Sequence, residues 1–183
     1  MPRILAMVEG HTEAIFFEIA HPDCLVLRPF PNGITVSISK IAEKIEFSLR
    51  AVGNDFDAIV VMLDRERRAA EASSISKELA QRLREICPGR PFLIGVSDIQ
   101  IENWILADED KMRERFGSTE YTYAGDGLGA KRRLGELSGG ESFSPRTKAE
   151  LLKSCKASSI ASKSPSFACF QAAAGFEWYW LAA

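Results

Sequence analysis

Apolar residues follow two alternating rhythms along this chain. Short, nearly unbroken runs occur at Arg3 to Val8, Cys24 to Pro29, Asp57 to Leu63 and Phe92 to Ser97, each rich in Val, Ile, Leu or Phe and bounded by turn-forming or charged residues. These runs predict four strands. Between them lie Thr12 to Ala20, Ile34 to Val52 and Ala69 to Cys87, each long enough for a crossover helix. In the last, Ile75, Leu79, Leu83 and Ile86 recur at three-to-four-residue steps, the spacing of one helix face. Strands alternating with helices imply parallel pairing with helices on both faces, and strands apolar on both sides fit that burial. The expected fold class is therefore α/β: a Rossmann-like parallel sheet of about four strands flanked by helices, with a helical C-terminal extension.

Thr12 is placed to cap the first helix, and Ser97 or Asp98 to cap a fourth helix running from Ile99 to about Phe116. Beyond it, Tyr121 to Gly129 and Gly135 to Pro145 are breaks rich in glycine. Short helices are expected at Lys131 to Leu137, Thr147 to Ala157 and Ser166 to Ala174. This divides the chain into an α/β domain over 1–127 and a helical extension over 128–183. Phe176, Trp178, Tyr179, Trp180 and Leu181 are too aromatic for a solvated tail, so they are expected to pack on the body or on a partner subunit. Trp104, Ile105 and Leu106 are expected in the core, and Asp108 on an exposed helix face.

Composition narrows the functional classes. The chain has 183 residues, 46% of them hydrophobic, enough for one good core. No apolar run approaches the roughly 18 to 20 residues of a membrane span. Met1 to Val8 reaches Glu9 too early for a secretory signal, so a cytoplasmic protein without membrane partners is expected. Cys24, Cys87, Cys155 and Cys169 form no Cys-x-x-Cys pair and the only histidines are His11 and His21, which argues for reduced, buried thiols over a zinc site. The net charge of −2 conceals −6 over 1–127 and +5 over 128–163. The basic stretch is either a solvated helical surface or a face for polyanions.

The candidate chemistry lies in acids at strand ends, where ligands gather in parallel α/β sheets. Glu9 follows the first strand and Asp64 the third, with Glu13 four residues after Glu9 and Glu66 two after Asp64. Two like charges about 4 Å apart repel by roughly 4 kcal/mol at an effective dielectric near 20, so a cluster of this kind calls for a compensating cation. All-oxygen donors suit Mg²⁺ or Mn²⁺. Glu13 also fits the first turn of a helix, and Glu66 also fits an ion pair with Arg65, Arg67 or Arg68. Glu102, early in the fourth helix, fits either a further metal contact or a helix-terminal charge. His11 is a candidate general base by position, and Gly10 suits a tight strand-to-helix turn. No Gly-x-Gly-x-x-Gly or Walker sequence is present, which argues against nucleotide-cofactor chemistry.

The segments Met7-Val8-Glu9-Gly10-His11-Thr12-Glu13 and Val60-Val61-Met62-Leu63-Asp64-Arg65-Glu66 resemble the Toprim pattern of a strand-terminal glutamate and a later Asp-x-Asp. With Glu102-Asn103-Trp104-Ile105-Leu106-Ala107-Asp108, they are similar to small standalone Toprim-like proteins and to the Toprim domain of OLD-type nucleases. The resemblance covers residues 3–110, with a further Ser164-Pro165-Ser166-Phe167 match near the end. One position departs from the pattern, since Glu66 stands where the second aspartate is usual. The resemblance implies a Mg²⁺ or Mn²⁺ site formed by Glu9, Glu13, Asp64, Glu66 and Glu102. It further implies catalysis by Glu9, Asp64 and Glu66, with Lys131 or Lys148 as a phosphate-charge stabiliser. The implied activity is cleavage of DNA or RNA in bacterial anti-phage defence, together with an ATPase or other defence subunit or as a homo-oligomer. Toprim activities also include primases and topoisomerases, and a non-catalytic metal-binding or regulatory module is the alternative.

Overall fold

The computed structural model describes residues 3–30, 36–53, 55–66 and 68–173. Four parallel strands form one sheet: β1 (Ile4–Val8), β2 (Leu25–Leu27), β3 (Ala58–Asp64) and β4 (Phe92–Ser97), in the order β2-β1-β3-β4. Three helices follow the strands: α1 (His11–Ala20), α2 (Ile38–Val52) and α3 (Ala72–Ile86). Six more complete the described chain: α4 (Glu102–Ala107), α5 (Glu109–Phe116), α6 (Ala130–Leu137), α7 (Pro145–Ser154), α8 (Ala157–Lys163) and α9 (Pro165–Ala172). The α/β class and the parallel sheet expected from the sequence are those observed.

Strand alternation divides the interior into two cores. On one face Ile4, Ala6 and Val8 of β1 and Val60 and Met62 of β3 meet Phe16, Phe17, Trp104, Leu152 and Phe170. On the other, Leu5, Met7, Ile59, Val61 and Leu63 meet Ile41, Ile45, Leu79 and Leu83 of α2 and α3. Burial on both faces explains why the strands read as continuous apolar runs. The first core includes residues of α6 to α9, so the C-terminal helices share it with β1, β3 and α1. Gly95 is what lets α9 approach β4, because a Cβ there would lie 2.9 Å from the Phe170 ring and 3.1 Å from Trp104. Trp104 stacks on Phe170 with centroids 5.5 Å apart, and its indole N–H donates to Ser166 Oγ at 2.8 Å.

Several boundaries differ from expectation, each for a local reason. Thr12 lies inside α1 and Gly10 is its N-cap. The cap of α2 is Ser37, whose hydroxyl accepts from Lys40 N; the expected start at Ile34 lies outside the described residues, as do Arg67 and the aromatic tail from Phe176. The expected long helix from Ile99 to Phe116 is two helices broken at Asp108. That residue is not exposed: it is 2% exposed, and its carboxylate accepts from Lys111 N at 3.1 Å and from Lys156 N at 2.7 Å, at the starts of α5 and α8. A short acidic side chain that satisfies free helix-terminal N–H groups competes with helix continuation. Pro145 opens α7 as its first residue behind the Ser144 cap instead of closing a loop. Of the four free cysteines only Cys155 is buried, and Cys169 is exposed. Among the described residues no helix is long and apolar enough to cross a membrane.

Candidate functional site

The chain leaves β1 through α1 to reach β2 on one side, then crosses to β3 on the other side of β1. Adjacent connections diverge to opposite faces there, opening a crevice beyond the carboxyl ends of β1 and β3. The register Val8↔Met62 places Glu9 beside the end of β3, and Glu9 N donates to Met62 O at 3.2 Å. Glu9, Glu13, Asp64, Glu66 and Glu102 all line one cavity of about 280 Å³ in this crevice, together with Lys131 and Lys148. The five acids and two lysines that the sequence offers as ligands or phosphate stabilisers are therefore brought to one place.

The local geometry follows from the backbone. Glu9 Oε2 accepts from Asp64 N at 3.2 Å, and Ser97, register partner of Asp64 on β4, donates its hydroxyl to Asp64 Oδ1. Glu13, one turn into α1, turns its carboxylate back over Gly10, where any Cβ would collide with it. The backbone at Gly10, with φ of −101°, is open to any residue, so what the glycine accommodates is this placement of the Glu13 carboxylate. Glu102 opens α4, 2% exposed, and its Oε1 accepts from Lys148 Nζ of α7 at 2.7 Å. Arg68 Nη1 donates to Asp64 O at 2.6 Å, and its charge acts on Glu9. His11 is exposed at the rim, with both ring nitrogens about 3 Å from Arg28 Nη1.

The Glu9, Glu13 and Asp64 carboxyls of the cavity are held above the usual carboxylate range, chiefly by burial. Burial pushes the Glu13 carboxyl up to about 7, aided by Glu102 and Glu9 and opposed by its own backbone hydrogen bond and Lys131. Asp64 is held well above the usual carboxylate range, first by burial and then by Glu13, against the Ser97 hydrogen bond. Glu9 is raised by burial, opposed by Arg68 and by the Asp64 N–H. Glu13 Oε2 and Glu102 Oε2 are buried oxygens that accept no hydrogen bond. Buried acceptors without donors are costly, and a hard cation is the partner their chemistry suits. The donor set fits Mg²⁺ or Mn²⁺, although among the described residues no group of three or more His, Cys, Asp or Glu side chains is disposed to hold an ion as arranged. No family model, no curated protein and no solved structure matches the chain.

Ser97 and Arg68 are site residues that the sequence reading did not identify. Ser97 had a legible signal, since it ends β4 as Asp64 ends β3 in the neighbouring strand. Arg68 was read only as a partner for Glu66, whereas its guanidinium turns back locally to Asp64 O and its charge acts on Glu9.

Proposed function

We propose that this chain is a divalent-metal-dependent nuclease of Toprim-like type that hydrolyses phosphodiester bonds of DNA or RNA, as an effector of bacterial anti-phage defence. The observation that carries the reading is the convergence of Glu9, Glu13, Asp64, Glu66 and Glu102 with two lysines in one cavity at the β1/β3 switch point. Glu9, Asp64 and Glu66 would hold Mg²⁺ or Mn²⁺, with Glu13 and Glu102 assisting. When bound, the ion supplies polarisation of the phosphodiester and a more acidic water.

The protein's own groups do the rest. Ser97 orients Asp64, and Arg68 moderates charge at Glu9. Lys148 and Lys131 line the same cavity and would stabilise charge developing on the oxygens of a phosphate bound there. The basic α6 and α7 extend that surface for the substrate backbone, and an ATPase or other defence subunit, or a second copy of the chain, would act with it.

One observation favours the non-catalytic alternative. Glu102 is already engaged by Lys148, so part of the cavity's negative charge is balanced without a cation. Incubating purified protein with supercoiled plasmid, single-stranded DNA and RNA, each with Mg²⁺, Mn²⁺ or chelator, separates the two. Metal-dependent cleavage supports the nuclease, whereas ion binding without cleavage of any substrate supports a binding or regulatory module.

A further inference from the structure

The two non-glycine residues with left-handed backbones among the described residues are Glu66, with φ of 51°, and Ile99, with φ of 64°. They are bonded to each other: Glu66 N donates to Ile99 O at 3.0 Å. The β3–β4 ladder formally ends at Asp64↔Ser97, but Arg65 N donates to Ser97 O at 3.0 Å and the Glu66–Ile99 bond follows it. The turns after two neighbouring strands are thus stitched together where both leave the sheet.

Isoleucine is poorly suited to this conformation, because a β-branched side chain at positive φ crowds the adjacent carbonyl groups. Surrounding bonds hold it there. Asp98 N donates to Ser166 Oγ at 3.3 Å, Gln100 N donates to Asp98 O at 2.8 Å, and the Asn103 side-chain amide donates to Asp98 O and, at 2.9 Å, to Gly127 O. Arg65 pairs with Asp98 across the two turns. Ile99 is itself buried, although it lies outside both apolar clusters. Strain that persists because its surroundings over-determine it is typical of sites where geometry must be exact.

The consequence lies on either side of the bond. Glu66 carries one cavity carboxylate, and Glu102 begins α4 three residues after Ile99 with another. We propose that Ile99 is a positioning residue, whose left-handed backbone locks the β3–α3 and β4–α4 turns in the one arrangement that presents Glu66 and Glu102 to the same cavity. This inference rests on the cavity being a cation site, and it concerns how two of its walls are held in register.

Two substitutions separate backbone handedness from side-chain contacts. Ile99→Pro fixes φ near −65° and so excludes the positive-φ backbone, whereas Ile99→Gly removes the branched side chain and admits that backbone freely. Amide hydrogen exchange at Glu66 and the rise in Tm on adding Mn²⁺ are measured for both variants and for wild type. In Ile99→Pro the Glu66 N–H should exchange about tenfold faster or more, as local opening of that bond becomes easier. Its Mn²⁺-induced rise in Tm should fall to less than half of wild type. Ile99→Gly should keep the wild-type Glu66 exchange and Mn²⁺ response. Wild-type exchange and Mn²⁺ response in Ile99→Pro would overturn the proposal, as would a loss of both in Ile99→Gly, which decides alone if Ile99→Pro does not fold. If wild type itself shows no Mn²⁺ response, the cation reading fails, and Glu66 exchange alone decides whether Ile99 holds the turns.

Discussion

The carboxylate of Glu9 accepts a hydrogen bond from the backbone N–H of Asp64 at 3.2 Å, so the acid that ends β1 is tied to the strand end carrying the next acid. Parallel pairing of β1 with β3 in the register Val8↔Met62 brings the two strand ends side by side. The charge of Glu9 adds to the cost of ionising Asp64, behind burial and Glu13, while the Asp64 N–H eases ionisation of Glu9. A compensating cation, or protonation, must relieve that cost.

Without metal, protonation is the available relief, and this fixes the sign of a pH effect. The Glu13 carboxyl, pushed up to about 7 by burial and by Glu102 and Glu9, keeps its proton in the folded protein over a range where the unfolded chain has released it. Stability from this group is fully present below about 4.5 and is lost as pH rises towards 7. Glu9 and Asp64, both raised, act in the same direction. In chelator, Glu13→Gln should therefore gain Tm over wild type progressively between pH 4.5 and 7. A Tm difference that is flat with pH, or that shrinks as pH rises, would contradict the buried, raised carboxyl.

The Lys148–Glu102 pair should be structurally important in the absence of divalent ions. With Lys148 17% and Glu102 2% exposed, removing only the lysine strands a buried carboxylate. Lys148→Met should lower unfolding stability in urea by about 3 kcal/mol in chelator, the low end for breaking a buried pair. Glu102→Gln combined with Lys148→Met should recover much of that loss, and Mn²⁺ should stabilise Lys148→Met more than wild type. A loss below about 0.5 kcal/mol would mark the pair as a solvent-screened surface contact.

Nucleic-acid affinity should depend on the exposed residues of α6 and not on all of its basic run. Arg133 is committed to structure, donating to Asn103 Oδ1 at 2.9 Å and to Gly125 O at 3.5 Å, so its loss would disturb α4. Lys131 and Arg132 are exposed. Replacing these two with Ala should weaken binding and reduce the salt dependence by about one to two counterions, with the Mn²⁺-induced Tm rise retained. Unchanged affinity and salt slope would remove α6 from the substrate surface.

Much of this arrangement was legible in the sequence. Continuous apolar runs such as Ala58 to Leu63 specify buried parallel strands, and acids placed directly after them must fall at one edge of the sheet. Glu9, Asp64 and Glu66 follow from that reasoning alone. Asp108 does not, because its burial depends on Lys156, 48 residues away, presenting a helix-terminal N–H. Helix α8, over Ala157–Lys163, was missed because its serine-rich segment has little apolar periodicity to read. The Glu66–Ile99 bond was invisible for a different reason: nothing in isoleucine's chemistry forecasts a left-handed backbone, which only the surrounding turns impose.

The central claim is that Glu9 and Asp64 hold a divalent ion needed for phosphodiester cleavage. Glu9→Gln and Asp64→Asn preserve shape while removing ligand charge, and relief of carboxylate repulsion should leave their metal-free Tm equal to or above that of wild type. An ion that binds only the folded site raises Tm in proportion to the site it finds. The deciding measurement is the Tm of wild type and both variants across a Mn²⁺ titration, with nucleic-acid cleavage assayed on the same samples. The expected result is a concentration-dependent rise and cleavage in wild type, with both lost in each variant. An equal rise in all three proteins would contradict the assignment of Glu9 and Asp64 as ligands.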